Sequence, residues 1–247
     1  MEVLLIDSNL LANIQAQRVS LVYHCNTLYT ERSTLMFQKF REPVSGLTHL
    51  GGAIASAGGL VALLIIGWQG IEKVVSLLVY GVSLISLFAA SATYHLAKVK
   101  PATQQILRKL DHSAIFLLIA GTYTPFCVNA FSGFFRWGLL AIIWSIALIG
   151  ILVKIFWIGA PRWLNAVMYV TMGWLCVSAI GQMTVALTPF AMWWLIIGGV
   201  IYTLGAAVYA TKLFNFIPGK FGFHEVWHIF VLLGALAHFV AVIGVIV

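Results

Sequence analysis

The stretch Phe223 to Val247, FHEVWHIFVLLGALAHFVAVIGVIV, decides how this chain is read. From Phe221 to the end the chain holds a single acid, Glu225, and no Lys or Arg. A run this long and apolar crosses a hydrocarbon core of about 30 Å as one helix. Ionisable groups in such a segment are costly, so their default reading is functional. His224 and His228 stand four residues apart. That spacing puts both imidazoles on one helix face, about 6 Å apart along the axis. Both can then reach one metal ion. Read literally, His224-Glu225-Val226-Trp227-His228 also matches H-E-x-x-H, the helical zinc signature of metalloproteases.

Composition extends this reading to the whole chain. Of its 247 residues 62% are hydrophobic and 9% charged, against about 25% charged in soluble domains. This is the composition of an integral membrane protein with no room for a sizeable soluble domain. The net charge of +7 does not point to nucleic acid. The basic residues sit in short loops between apolar runs, where they set orientation and meet anionic lipid. Cys25, Cys127 and Cys176 are far apart, so no disulfide framework or C-x-x-C motif follows.

Seven apolar runs are predicted as spans: Val44–Gly67, Val74–Ala97, Leu110–Ala130, Gly138–Trp157, Trp163–Met183, Phe190–Ala210 and Phe223–Val247. The expected fold is all-α, a polytopic seven-transmembrane-helix bundle over residues 42–247. Residues 1–41 are expected to be a poorly ordered N-terminal cytoplasmic tail. Its first apolar patch, Val3 to Ile6, is too short and lacks the basic flank of a cleavable signal peptide. Met36 is a second candidate start. Trp68, Trp137, Trp157 and Trp163 fall at the proposed span ends, where aromatic anchors belong. Gly51, Gly52, Gly58, Gly59, Gly198 and Gly199 allow close helix contact.

Charge asymmetry sets the predicted orientation. Arg18, Arg32, Lys39 and Arg41 lie in the tail, and Lys98, Lys100, Arg108 and Lys109 follow span two. Lys154 and Arg162 flank the turn after span four, and Lys212 and Lys220 follow span six. Only Lys73 and Arg136 fall on the other side. The positive-inside rule then puts the N-terminus in the cytoplasm and the C-terminus outside. The expected location is the plasma (inner) membrane, crossed several times.

With that topology four polar residues gather at one depth. His95 ends span two, Asp111 starts span three, and His224 and His228 start span seven. Three imidazoles and one carboxylate make a plausible zinc site. If water takes one position the site is catalytic in type, because zinc lowers the pKa of bound water to about 7. Taken singly, each residue has a blander reading. His95 suits a lipid interface, and Asp111 suits a helix N-terminus or a pairing with Lys109.

These residues lie in recognisable motifs. Ser91-Ala92-Thr93-Tyr94-His95, Lys109-Leu110-Asp111-His112-Ser113, Ala120-Gly121-Thr122-Tyr123-Thr124-Pro125-Phe126 and His224 to His238 resemble the haemolysin III family. That family groups with the progestin and adiponectin receptors and, more distantly, the alkaline ceramidases. The resemblance covers about residues 42–247. It implies a seven-helix bundle with the N-terminus inside and a zinc ion held by His95, Asp111, His224 and His228. In the receptor branch three histidines bind zinc and the carboxylate holds the water that the metal activates. The resemblance thus assigns Asp111 as water-holder and general base, with direct ligation as the alternative.

The same resemblance places Ser91 in the site, where its hydroxyl can orient water or a substrate carbonyl. The competing reading is a bond to a backbone carbonyl one turn back. Glu225 would be the base of a zinc protease, but it is turned about 100° from His224 around the helix. Pairing with Lys220 or Arg108 is its blander role. Glu42, Ser45 and His49 start span one on the same side. They either line the entrance and relay protons, or serve packing and capping. His112 is expected to point away from Asp111. His238 is expected to hydrogen-bond another helix, about 15 Å deeper than His228. Tyr123, Thr124 and Pro125 read as a kink whose freed carbonyl Thr122 or Thr124 satisfies.

Two classes of function follow. One is a zinc-dependent hydrolase of lipid amides or esters, with membrane lipids as partners and the reaction carried over from the relatives. The other is a non-enzymatic sensor, receptor-like or membrane-homeostasis protein with structural zinc. A cytolytic activity fits poorly with a chain that inserts in its own membrane. A transporter lacks the matching broken helices expected of one.

Overall fold

The computed structural model describes residues 39–217 and 221–247, together with residue 17. The chain divides into two units, Met1–Arg41 and Glu42–Val247. Nearly all of the expected tail, including Met36, lies outside the described residues, as does Lys220.

Its helices are α1 (Pro43–Ile66), α2 (Ile71–Leu96), α3 (Pro101–Asn129), α4 (Gly133–Phe156), α5 (Arg162–Trp174), α6 (Ile180–Ala186), α7 (Pro189–Thr211) and α8 (Phe223–Ile246). A 3₁₀ turn, Leu175–Ala179, joins α5 to α6. Among the described residues the only β-pairing is an isolated bridge between Ile217 and Phe221. Helix starts follow local chemistry. Pro43, Pro101 and Pro189 occupy first-turn positions, where a missing N–H costs nothing. Thr188 caps α7 by accepting from the Ala191 N–H at 3.2 Å. Glu225 turns back to accept from the Gly222 N–H at 2.8 Å and closes the first turn of α8.

Among the described residues six helical stretches are long and apolar enough to cross a membrane: α1, α2, α4, α5 through α6, α7 and α8. Helix α3 has 29 residues, but Asp111, His112, Ser113, Thr122 and Thr124 dilute its hydropathy. It also begins at Pro101 rather than at the expected Leu110. Arg108 and Lys109 therefore ride on a helix, because the proline starts one as soon as the chain turns.

Helix α2 packs between α1 and α3, α4 packs on α3, α7 packs on α8 and α5, and α8 closes against α1. Many deeply buried side chains lie on α2 and α3, among them Leu77, Tyr80, Phe88, Phe116 and Cys127, with Leu63 of α1 and Ile143 of α4 beside them. Outward faces are apolar, as at Ile54 and Ile65 of α1 and Ile149 of α4. Between helices in lipid, close packing rather than water exclusion supplies the attraction. Gly121 permits it where α3 meets Ser83 of α2, and Gly52 where α1 meets Phe88 and Leu232.

The fifth span was expected as one helix over Trp163–Met183, but it is interrupted at the 3₁₀ turn. The Tyr123 hydroxyl points at the carbonyls freed there, Gly173 at 2.8 Å and Met172 at 3.0 Å. The Thr122 and Thr124 hydroxyls donate one turn back, to Leu118 and Ala120. They do not serve the Gly121 carbonyl, the one Pro125 leaves without its usual donor, because each rotates toward its own i−4 partner.

Candidate metal centre

Three helix termini meet at one end of the bundle and bring their polar residues together: the N-termini of α1 and α8 and the C-terminus of α2. Helix α3 runs past them and presents Asp111 from its third turn. The Glu42 N–H donates to the His95 carbonyl at 2.9 Å, fastening the start of α1 to the end of α2. The imidazoles of His95, His224 and His228 form a near-equilateral triangle with centroid separations of 5.1, 4.6 and 4.9 Å. One ring nitrogen from each lies within 4.8 Å of the others. His95 and His228 are almost wholly buried.

The donor atoms fit a shared cation. His228 Nε2 stands 3.3 Å from His224 Nε2. Two nitrogens bound tetrahedrally at roughly 2.0–2.1 Å lie about 3.4 Å apart. His95 Nε2 is buried with no hydrogen-bond partner among the described residues, a costly state for a ring nitrogen unless something binds it. The other nitrogen, Nδ1, faces the Glu42 carboxylate. A carboxylate behind a ligating imidazole fixes ring and tautomer and raises ligand basicity. Three imidazoles suit zinc, copper, iron or nickel.

The residues expected as accessory form a second layer. The Ser45 hydroxyl donates to Glu225 Oε1 at 3.3 Å. His49 Nε2 donates to the His228 carbonyl at 3.3 Å, and its ring lies 3.9 Å from that of His228. Glu225 is thus engaged by the Gly222 N–H and Ser45, not aimed among the histidines. Asp111 is outside the tight triangle but lines the same cavity as His224, His228 and Ser91. That cavity measures about 40 Å³, room for a water or two. Among the described residues the Ser91 hydroxyl makes no bond to the preceding turn.

His112 was expected to face away, yet it lines this cavity beside Asp111. The cavity extends between α3 and α5, so neighbouring residues of α3 both border it. Tyr169 of α5 donates to the His112 carbonyl at 3.2 Å. His238 lies deeper, with Nε2 donating to the Leu195 carbonyl of α7 at 3.2 Å, as expected. Sequence reasoning missed Asn165, Tyr169 and Tyr209, which also line the cavity, and Lys154 behind them. No local motif marks any of these four.

A family model described as "Haemolysin-III related" matches residues 37–239. The chain belongs to the haemolysin III family. It is 38% identical to "Hemolysin-3" of Bacillus cereus over 217 residues, covering 87% of this chain and 96% of that one. It is 36% identical to the "Hemolysin-3 homolog" of Bacillus subtilis over 210 residues, covering 84% and 95%. A more distant relative is the "Adiponectin receptor protein" of Drosophila melanogaster, 27% identical over 213 residues, 78% of this chain and 48% of that one. This haemolysin III member is a multi-pass membrane protein with a histidine cluster able to hold a metal ion.

Proposed function

We propose that the chain crosses the membrane seven times with its N-terminus in the cytoplasm, holds zinc at His95, His224 and His228, and hydrolyses a lipid amide or ester. The buried, unpartnered Nε2 of His95, facing two imidazole nitrogens 3.3 Å apart, carries this reading. Lys98, Lys100, Arg162 and Lys212 cluster at the same end of the bundle, which favours that end as cytoplasmic. The length of α3, 29 residues, and its packing against the spanning helices α2 and α4 favour counting it as the seventh span.

When bound, zinc supplies a Lewis acid that lowers the pKa of bound water to about 7 and polarises a carbonyl. The protein's own groups do the rest. Asp111, on the cavity wall, takes the proton of the attacking water. Ser91, on the same wall, donates to the oxygen that gains charge. Glu42 holds the His95 ring in place.

The second reading is a structural zinc that ties α2 to α8 in a sensor or receptor-like protein. The small cavity, about 40 Å³, favours it, since that space admits the oxygen end of an acyl group but not a whole lipid headgroup. Fatty-acid release from a panel of acyl amides and esters, followed by mass spectrometry on purified zinc-loaded protein, separates the two. The hydrolase reading expects release that Asp111→Asn reduces at least a hundredfold while zinc stays near one per chain. Zinc-loaded protein that releases nothing from any lipid overturns it in favour of the structural role.

A further inference from the structure

Lys154 sits in the last turn of α4 and is fully buried, at 0% exposure. Its ammonium donates to Asn165 Oδ1 in the first turn of α5. Among the described residues its recorded partner is this amide, with no carboxylate beside it. A buried cation without a counter-charge is expensive, so this one calls for a use. The charge rule had counted Lys154 as a loop residue facing anionic lipid, but it faces inward.

Lysine offers only donors, so the atom of Asn165 beside it must be the carbonyl oxygen. The amide nitrogen is thereby turned the other way. Its two N–H groups have one partner, the Ala160 carbonyl at 3.3 Å. Asn165 is 2% exposed and borders the cavity it shares with Ser91, Asp111, His224 and His228. An amide whose oxygen accepts from a cation is polarised, and its N–H groups become stronger donors. The Tyr169 hydroxyl, on the same wall, is already committed to the His112 carbonyl.

We propose that Asn165 receives the oxygen of an acyl group in this cavity, and that Lys154 is the positioning residue that aims and polarises its amide. The acyl group is the carbonyl of a lipid amide or ester before cleavage, or the carboxylate of a fatty acid afterwards. The first source rests on the hydrolase reading. The second does not.

The test uses full-length, zinc-loaded protein in nanodiscs. Oleate binding is measured by displacement of a fluorescent fatty acid, and turnover by release from an N-acyl amide. Asn165→Asp keeps an oxygen for Lys154 and gains an ion pair, so a purely structural role predicts an intact or stiffer protein with normal binding. The proposal predicts at least a tenfold loss of oleate affinity in Asn165→Asp, with zinc near one per chain and no fall in Tm. Lys154→Met is expected to lose three- to tenfold while Asn165 remains in place. Oleate affinity in Asn165→Asp within threefold of the wild type overturns the proposal, as does a wild type that binds no oleate. If oleate binds in an Asn165-dependent way and no lipid is cleaved, the hydrolase reading falls and the acyl site stands. Full turnover in Asn165→Asp removes the acyl site and leaves the hydrolase.

Discussion

Replacing Glu42 tests whether the first turn of α1 belongs to the metal centre. Its carboxylate meets His95 Nδ1, and its backbone N–H independently holds the His95 carbonyl at 2.9 Å. A side-chain substitution therefore leaves the α1–α2 clamp in place. Removing an outer partner of a ligating imidazole costs roughly 10- to 100-fold in metal affinity. The Glu42 side chain is 39% exposed against 1% for His95, so water weakens its hold and the low end applies. Glu42→Ala should then bind zinc about tenfold more weakly, about 1.4 kcal/mol. Glu42→Gln retains an acceptor and loses only the charge, so it should fall between that and the wild type. Competition against a calibrated fluorescent chelator measures the constant, and the detergent Tm without metal controls for folding. Both variants binding zinc within a factor of two of the wild type would refute the argument that this carboxylate orients the ring.

His228→Ala removes the nitrogen 3.3 Å from His224, and elemental analysis should show zinc falling from about one per chain to a small fraction. Tyr123→Phe deprives the Met172 and Gly173 carbonyls of their donor. Interhelical hydrogen bonds in membranes contribute about 0.6 to 1.7 kcal/mol, so amides around 174–180 should exchange roughly three- to twentyfold faster. An unchanged exchange rate there would show that the bond contributes nothing. Gly121→Ala would place a methyl 2.6 Å from Ser83 Cβ. Overpacking of this kind costs about 1–3 kcal/mol, read as a fall of several degrees in Tm.

Six of the seven expected spans were legible because apolar length is a one-dimensional property. The His224/His228 pair was legible because helical spacing is local. His95 and Asp111 became visible only through charge asymmetry and motif resemblance, since each is unremarkable within its own helix. Nothing near Glu42 announces that it lies against His95, 53 residues away. The break after Trp174 has no proline to signal it, and the hydroxyl that stabilises it comes from Tyr123, 50 residues earlier. His112 was misjudged because a helical wheel assumes a narrow target, and the cavity spreads across two adjacent positions of α3. Lys154 was misjudged because counting charges cannot tell a lysine facing headgroups from one folded beneath Asn165.

The break in the fifth span has a mechanical consequence. A continuous α-helix transmits a tilt along its whole length, whereas a 3₁₀ turn within a span interrupts the i→i−4 ladder that carries it. Asn165 and Tyr169 lie on one side of that joint, and Met183 and Ala186 on the other. Any change of bend at that joint would be felt by the arm that carries Asn165 and Tyr169, which wall the cavity beside the histidines. The Tyr123 hydroxyl is bonded at that break, so a side chain remote from the histidines braces the place where the ladder stops.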